Sequence, residues 1–159
     1  MTSIGRTGRR LAAGCLAAAA LVTLSVAAGA AAGPQIAMVK TASGDAAIVR
    51  EGVHLAAKVG DALFEKDVIE TGPDGSIGIT FTDNTVMSTG PDSQLSLEQY
   101  KFDSSNFNGS MLAEMRKGTL AVVSGDIARA AHDTMKIKTP TAILGVRGTR
   151  FTVEVEEQR

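Results

Sequence analysis

The chain is poor in the residues that most often carry chemistry. Among its 159 residues are one Cys, two His, one Tyr and no Trp, and aromatics make up only 4%. The single cysteine, Cys15, lies in the N-terminal segment, so the rest of the chain has no disulfide, thiol nucleophile or thiolate metal ligand. Neither His54 nor His132 stands in a His-Glu-x-x-His spacing, and no Gly-x-Ser-x-Gly elbow is present. Ser124, Asp126, His132 and Asp133 are near in sequence without forming a recognisable triad pattern. Asp74 and Asp92 lack the dense oxygen-ligand spacing of a calcium loop, and turn capping explains them. The expectation is a protein with no catalytic residues, no metal and no cofactor.

Charge is also unremarkable, except at the start. Arg6, Arg9 and Arg10 form a basic cluster without an acid, and Leu11 to Ala32 then runs for 22 uncharged residues rich in Ala. The run ends in small residues that fit signal-peptidase cleavage after Ala30 or Ala32, so residues 1–30 read as a signal helix, with an uncleaved anchor as the alternative. Four residues between Arg10 and Cys15 are too few for the apolar core of a lipidation signal. Without those three arginines the remainder has 13 basic and 17 acidic residues, a net of about −4, which argues against a nucleic-acid partner. The expected address is the periplasm or cell envelope, with membrane contact only through an uncleaved N-terminal segment.

From Ile36 onward the signals are those of strands. Short runs rich in Val, Ile, Thr and Phe are separated by Gly, Asp, Asn and Pro. In "SIGITF" Ile77, Ile79 and Phe81 share one face; Leu95 with Leu97, and Met135 with Ile137, do the same. "RFTVEVE" turns Phe151, Val153 and Val155 inward. "MLAEMRKG" (Met111 to Gly118) and "DIARAAHD" (Asp126 to Asp133) are each expected to form a short helical turn. "TGPDGSIGI" at Thr71 recurs as "TGPDSQLSL" at Thr89, with a turn followed by a strand each time, and Gly44-Asp45 and Gly60-Asp61 mark similar corners. A spacing of sixteen to eighteen residues suits a coil of a β-solenoid, while short strands with frequent turns also suit a β-sandwich. The expected fold is all-β: a short right-handed β-helix or solenoid-like stack, with a β-sandwich as the alternative.

The segments "GDAAIVREG" at Gly44, Val59 to Leu97, "KGTL" at Lys117 and above all "IKTPTAILGVRGTRFTVEV" at Ile137 to Val155 resemble the FecR-type domain. That is the exported β module of bacterial iron-dicitrate transmembrane regulators and of stand-alone envelope proteins. The resemblance covers about Gly44 to Val155, which divides the chain into residues 1–30, a linker or first strand at 31–43, and a FecR-type β domain at 44–159. It implies a β-helix-like module that binds rather than catalyses. Only ten residues precede the apolar segment, and little follows "FTVEV", so neither a cytoplasmic sigma-binding part nor a further C-terminal region is expected.

Two candidate surfaces follow. "YKFDSSNFNGS" puts Tyr100, Phe102 and Phe107 in a polar loop, the candidate interaction site. The segment with Thr139, Pro140, Gly145, Arg147, Gly148 and Thr149 reads as a structural corner, with Arg147 pairing an internal acid or carbonyl; an anion cradle is the competing reading. The last strand, Arg150 to Val155, is expected at a sheet edge, open to a partner strand or to self-association. The function expected is protein–protein interaction in envelope signalling or assembly, with partners being envelope proteins of unspecified identity. The alternative is a glycan- or peptidoglycan-binding module.

Overall fold

The computed structural model describes residues 33–131 and 133–156, which belong to one compact unit, Ala31–Arg159. The expected signal segment, residues 1–30, and His132 lie outside the described residues. No described helix is long and apolar enough to cross a membrane.

The described residues form twelve strands and one short helix. The strands are β1 (Ala37–Ser43), β2 (Ala46–Arg50), β3 (Val53–Ala56), β4 (Ala62–Leu63), β5 (Val68–Thr71), β6 (Ser76–Phe81), β7 (Val86–Thr89), β8 (Gln94–Asp103), β9 (Asn108–Val123), β10 (Met135–Lys138), β11 (Ile143–Val146) and β12 (Arg150–Val155). The helix, α1, spans Asp126–Ala130. All twelve strands join one curled, open sheet through β9, whose first half pairs β8 and β10 and whose second half pairs β7 and β12. One half-sheet therefore runs β3-β2-β5-β8-β9-β10-β11 and the other β4-β1-β6-β7-β9-β12.

Strand periodicity explains the core. Side chains alternate between the two faces of a strand, so one residue in two can be buried. Across the first half-sheet Leu55, Ile48, Ile69, Leu95 and Met115 stand in one row. Across the second, Val39, Ile79, Met87, Val122 and Phe151 do the same. Their buried members form a single hydrophobic cluster. The expected inward residues Ile77, Ile79, Phe81, Leu95, Leu97, Met135 and Ile137 are all buried. Phe151, Val153 and Val155 face inward but only half-buried, because β12 pairs only β9 among the described residues.

The repeated "TGPD" turns have a shared job. Each carries the chain from one half-sheet to the other: from β5 to β6 at the first copy, and from β7 to β8 at the second. The turns lie side by side with the Gly44-Asp45 corner and the bend inside β9. Gly72 N donates to Asp45 O (2.8 Å), Asp92 N to Gly72 O (3.0 Å) and Gly90 N to Thr119 O (3.0 Å). Thr71 fastens the pair, its hydroxyl donating to Gly90 O (2.7 Å) and accepting from Ser93 N (2.9 Å). Glycine is required where these corners touch. A Cβ on Gly75 would meet the carbonyl of Asp45, and Gly118 bends β9 at φ +90° against Ser93.

The spacing of the repeats is thus the interval between corner crossings. Ten of the eleven strand pairings among the described residues are antiparallel, and parallel stacking of the kind a right-handed β-helix uses occurs only between β9 and β10.

One other local expectation differs. "MLAEMRKG" is not a helical turn but the middle of β9, where Met111, Ala113 and Met115 alternate into the core and pair with β8. Within the segment expected as a linker or first strand, residues 37–43 form β1, which pairs both β4 and β6.

Candidate functional site

The aromatic segment divides into an anchored part and a displayed part. Tyr100 is not in a loop: it lies in β8, 7% exposed, with its ring stacked on Phe81 at 5.3 Å between centroids. Its hydroxyl bonds Thr82 Oγ1 (2.8 Å) and accepts from Asp83 N (2.9 Å). The physical reason is the period of two, which continues past Leu97 after a bulge and turns Tyr100 inward opposite Met111. Phe102, also on β8, is half-buried and packs on the core.

Phe107 alone of the three is presented to solvent, 52% exposed and at φ +58° in the turn between β8 and β9. Polar side chains fix that turn. Asp103 Oδ1 accepts from Ser105 N (2.9 Å) and Ser105 Oγ (2.6 Å), Asp103 Oδ2 from Asn106 Nδ2 (2.9 Å), and Asn108 N donates to Asn106 Oδ1 (2.9 Å). The Ser105 bonds hold the Asp103 carboxyl below its ordinary pKa. Asn106, Phe107 and Asn108 face Asp126, Arg129 and Ala130 of α1 across a shallow groove of about 440 Å³. The turn is thus a pre-shaped hairpin tip bearing one exposed ring. An aromatic held this way offers contact area at little entropic cost.

The burial of Tyr100 gives a pH prediction. Desolvation is the main cause that raises its phenol pKa well above the ordinary value of about 10. A raised phenol pKa means that the folded state favours the neutral form, so this contribution is intact below about pH 10 and is lost as pH rises beyond it. Tyr100 is the only tyrosine and there is no tryptophan, so tyrosinate absorbance reports this residue alone. The expected result is that native Tyr100 ionises only together with loss of the far-UV dichroism, while the urea-unfolded chain titrates near its ordinary value. Native and unfolded titrations that coincide would contradict the buried placement.

The C-terminal corner is built differently. Thr139 closes the β10–β11 turn, its N donating to Ala142 O (2.8 Å) and its Oγ1 accepting from Ala142 N (3.0 Å), with Pro140 exposed at the tip. Gly145 lies within β11, opposite Lys136. Arg147, Gly148 and Thr149 carry the chain from β11 to β12, with Gly148 at φ +52°. Ser124 clasps this connection: its Oγ accepts from Thr149 N (2.7 Å) and donates to Thr149 O (2.9 Å). Arg147 is exposed, and no acid or carbonyl among the described residues pairs with it, so the expected internal partner is not there.

Sequence reasoning passed over a buried carboxylate. Asp83, fully buried, accepts at Oδ1 from Thr85 N (3.1 Å) and at Oδ2 from Thr85 Oγ1 (2.7 Å) and Ile127 N (3.3 Å). Its backbone carbonyl accepts from Asp126 N (2.8 Å). Asp83 thereby links the β6–β7 turn, Tyr100 and the start of α1, which forms one wall of the groove under Phe107. The "FTDNT" turn signalled the aspartate, while its distant partners carried no local signal. His54 lies on β3, exposed, with Nδ1 3.6 Å from Glu70 Oε2.

A family model described as FecR protein matches residues 67–159, from just before β5 to the end of the chain. No curated protein and no solved structure matches the chain.

Proposed function

The chain belongs to the FecR protein family, and on that premise we propose that it is an exported, non-enzymatic module acting through protein–protein contacts in envelope signalling or regulation. The family points to a regulatory role. The arginine-led, Ala-rich N-terminal segment supports export to the periplasm or envelope. On architecture, the antiparallel ladders and their repeated crossings favour the sandwich-like alternative over a parallel solenoid.

The single observation that carries the interaction reading is Phe107. A large apolar ring half in water, on a turn whose own side chains fix its shape, resembles the aromatic anchors that dominate interfaces. The test is capture from solubilised envelope extract on the immobilised protein, with Phe107→Ala as control; Tyr100 is unsuitable, because its loss would damage the core. A retained envelope protein that is lost with Phe107→Ala, at unchanged thermal stability, is the expected result. Retention of glycan or murein without protein would replace this reading with the carbohydrate one.

A further inference from the structure

The two half-sheets treat their open edges differently. Natural sheets protect edge strands by shortness or by charge, because an unpaired strand templates pairing with another chain. In the β4–β12 half-sheet both devices are present: β4 has two residues, and β12 carries Arg150 and Glu154. In the β3–β11 half-sheet neither is. β3 reads Val-His-Leu-Ala and β11 reads Ile-Leu-Gly-Val, four residues each, without a Lys, Arg, Asp or Glu. Among the described residues each is paired on one side only, β3 with β2 and β11 with β10. Their apolar side chains are left in water, with Val53 58%, Leu55 42%, Ile143 65% and Leu144 37% exposed.

We infer that these two edges are made for each other, so that β11 of one copy pairs with β3 of the next and the protein self-associates head to tail. This goes beyond the interaction reading above and uses a surface remote in sequence from Phe107. Three features commit the occupant to a second copy.

Direction is the first. Between β3 and β11 the path makes five antiparallel steps and one parallel step, so the two strands point oppositely. Copies in the same orientation therefore bring them together antiparallel, like most of the sheet.

Register is the second. Leu144 and Val146 stand opposite Ile137 and Met135, on the core face. Leu55 stands opposite buried Ile48, and Val53 opposite Arg50, on the same face. Setting Leu144 beside Leu55 also sets Val146 beside Val53, Gly145 beside His54 and Ile143 beside Ala56. All four residues of each strand are then used and both faces match, whereas a slip by one residue would reverse them.

Exclusivity is the third. A two-fold β11–β11 pairing centred on Leu144 needs Ala142, which belongs to the turn, and leaves Ile143 opposite Gly145. A β3–β3 pairing centred on Leu55 needs Ala57, which lies beyond the four residues of β3, and sets His54 opposite Ala56. A head-to-tail contact leaves a free β3 and a free β11 on every assembly, so it grows unless the ring closes.

The test is sedimentation velocity on the full chain and on the variants Leu55→Lys and Leu144→Lys. Each places a charge at one exposed edge. The wild-type protein is expected to form species that lengthen with concentration. Each variant alone is expected to be monomeric, and an equimolar mixture to give a single species of twice the monomer mass, through the edge each retains. Should a variant fail to fold by circular dichroism, Ala56→Cys and Ile143→Cys chains, both with Cys15→Ser, provide the second measurement. Oxidation of their mixture is expected to give the mixed disulfide and little of either homodimer. A monomeric wild type, association that survives either lysine substitution, a mixture that stays monomeric, or cysteine homodimers in preference to the mixed pair would each overturn the inference.

Discussion

Asp83→Ala is expected to lower folding stability by about 3–5 kcal/mol, a large share of what a domain of this size possesses. The substitution removes the acceptor of Thr85 N, Thr85 Oγ1 and Ile127 N together, inside a region where Asp83 and Thr85 are fully buried. Water cannot replace the carboxylate at no cost, and each stranded donor costs roughly 1–3 kcal/mol. Partial relaxation keeps the total below the simple sum. Asp83→Asn retains the shape and one oxygen but turns an amide N–H₂ toward a donor, so it is expected to cost about 1–3 kcal/mol. Thermal unfolding followed by circular dichroism measures both; a drop in Tm of more than about 10 °C for Asp83→Ala is expected. The α1 wall of the groove should loosen first, visible as faster amide exchange at Ile127. A stable Asp83→Ala protein would mean that the carboxylate is a passenger in the β6–β7 turn.

That consequence was not legible in the sequence, and the reason is distance. "FTDNT" shows a turn, because Asp and Asn bond their own backbone, but nothing local says that the same aspartate holds a residue over forty positions later. The strands, by contrast, were legible because period two is a local property: Ile77, Ile79, Leu95, Met135 and Ile137 reveal their burial by alternation alone. The same rule misled where composition spoke more loudly than period. Met111 to Lys117 is rich in good helix formers, yet pairing with β8 and burial of Met111, Ala113 and Met115 outweigh intrinsic propensities worth a few tenths of a kcal/mol each. Tyr100 and Phe102 alternate with Lys101 and Asp103, a strand signal masked by the polar run that follows. The repeat at Thr71 and Thr89 fixed the presence and spacing of two corners, while strand direction depends on which half-sheet each corner enters.

Arg50 and Asp67 show what the N-terminal strands contribute to the part of the chain that the family model covers. Asp67, 1% exposed, opens that part and is gripped by a strand outside it: Arg50 Nε reaches Oδ1 at 2.8 Å and Nη2 reaches Oδ2 at 2.7 Å. The same guanidinium donates to Ala62 O (2.9 Å) and lies 4.5 Å over the Phe64 ring. Asp67 also accepts from Phe64 N (2.9 Å), so the pair pins the β4–β5 connection to β2. The Asp67 hydrogen bond raises the already high pKa of Arg50, so the guanidinium stays charged at every pH near neutrality. Removing one partner leaves the other uncompensated. Because the arginine still touches solvent, Arg50→Ala is expected near the low end of the usual range for such a loss, about 3 kcal/mol, and Asp67→Ala similarly. Arg50→Lys should recover little, since an ammonium cannot make the two-pronged contact or stack on Phe64. The double variant Arg50→Ala/Asp67→Ala should cost clearly less than the two single losses combined, because no stranded charge remains. Urea unfolding of the four variants measures the coupling directly. Additive losses would show that the two side chains stabilise the sheet independently, and that β2 does not hold the start of the family-matched region through this pair.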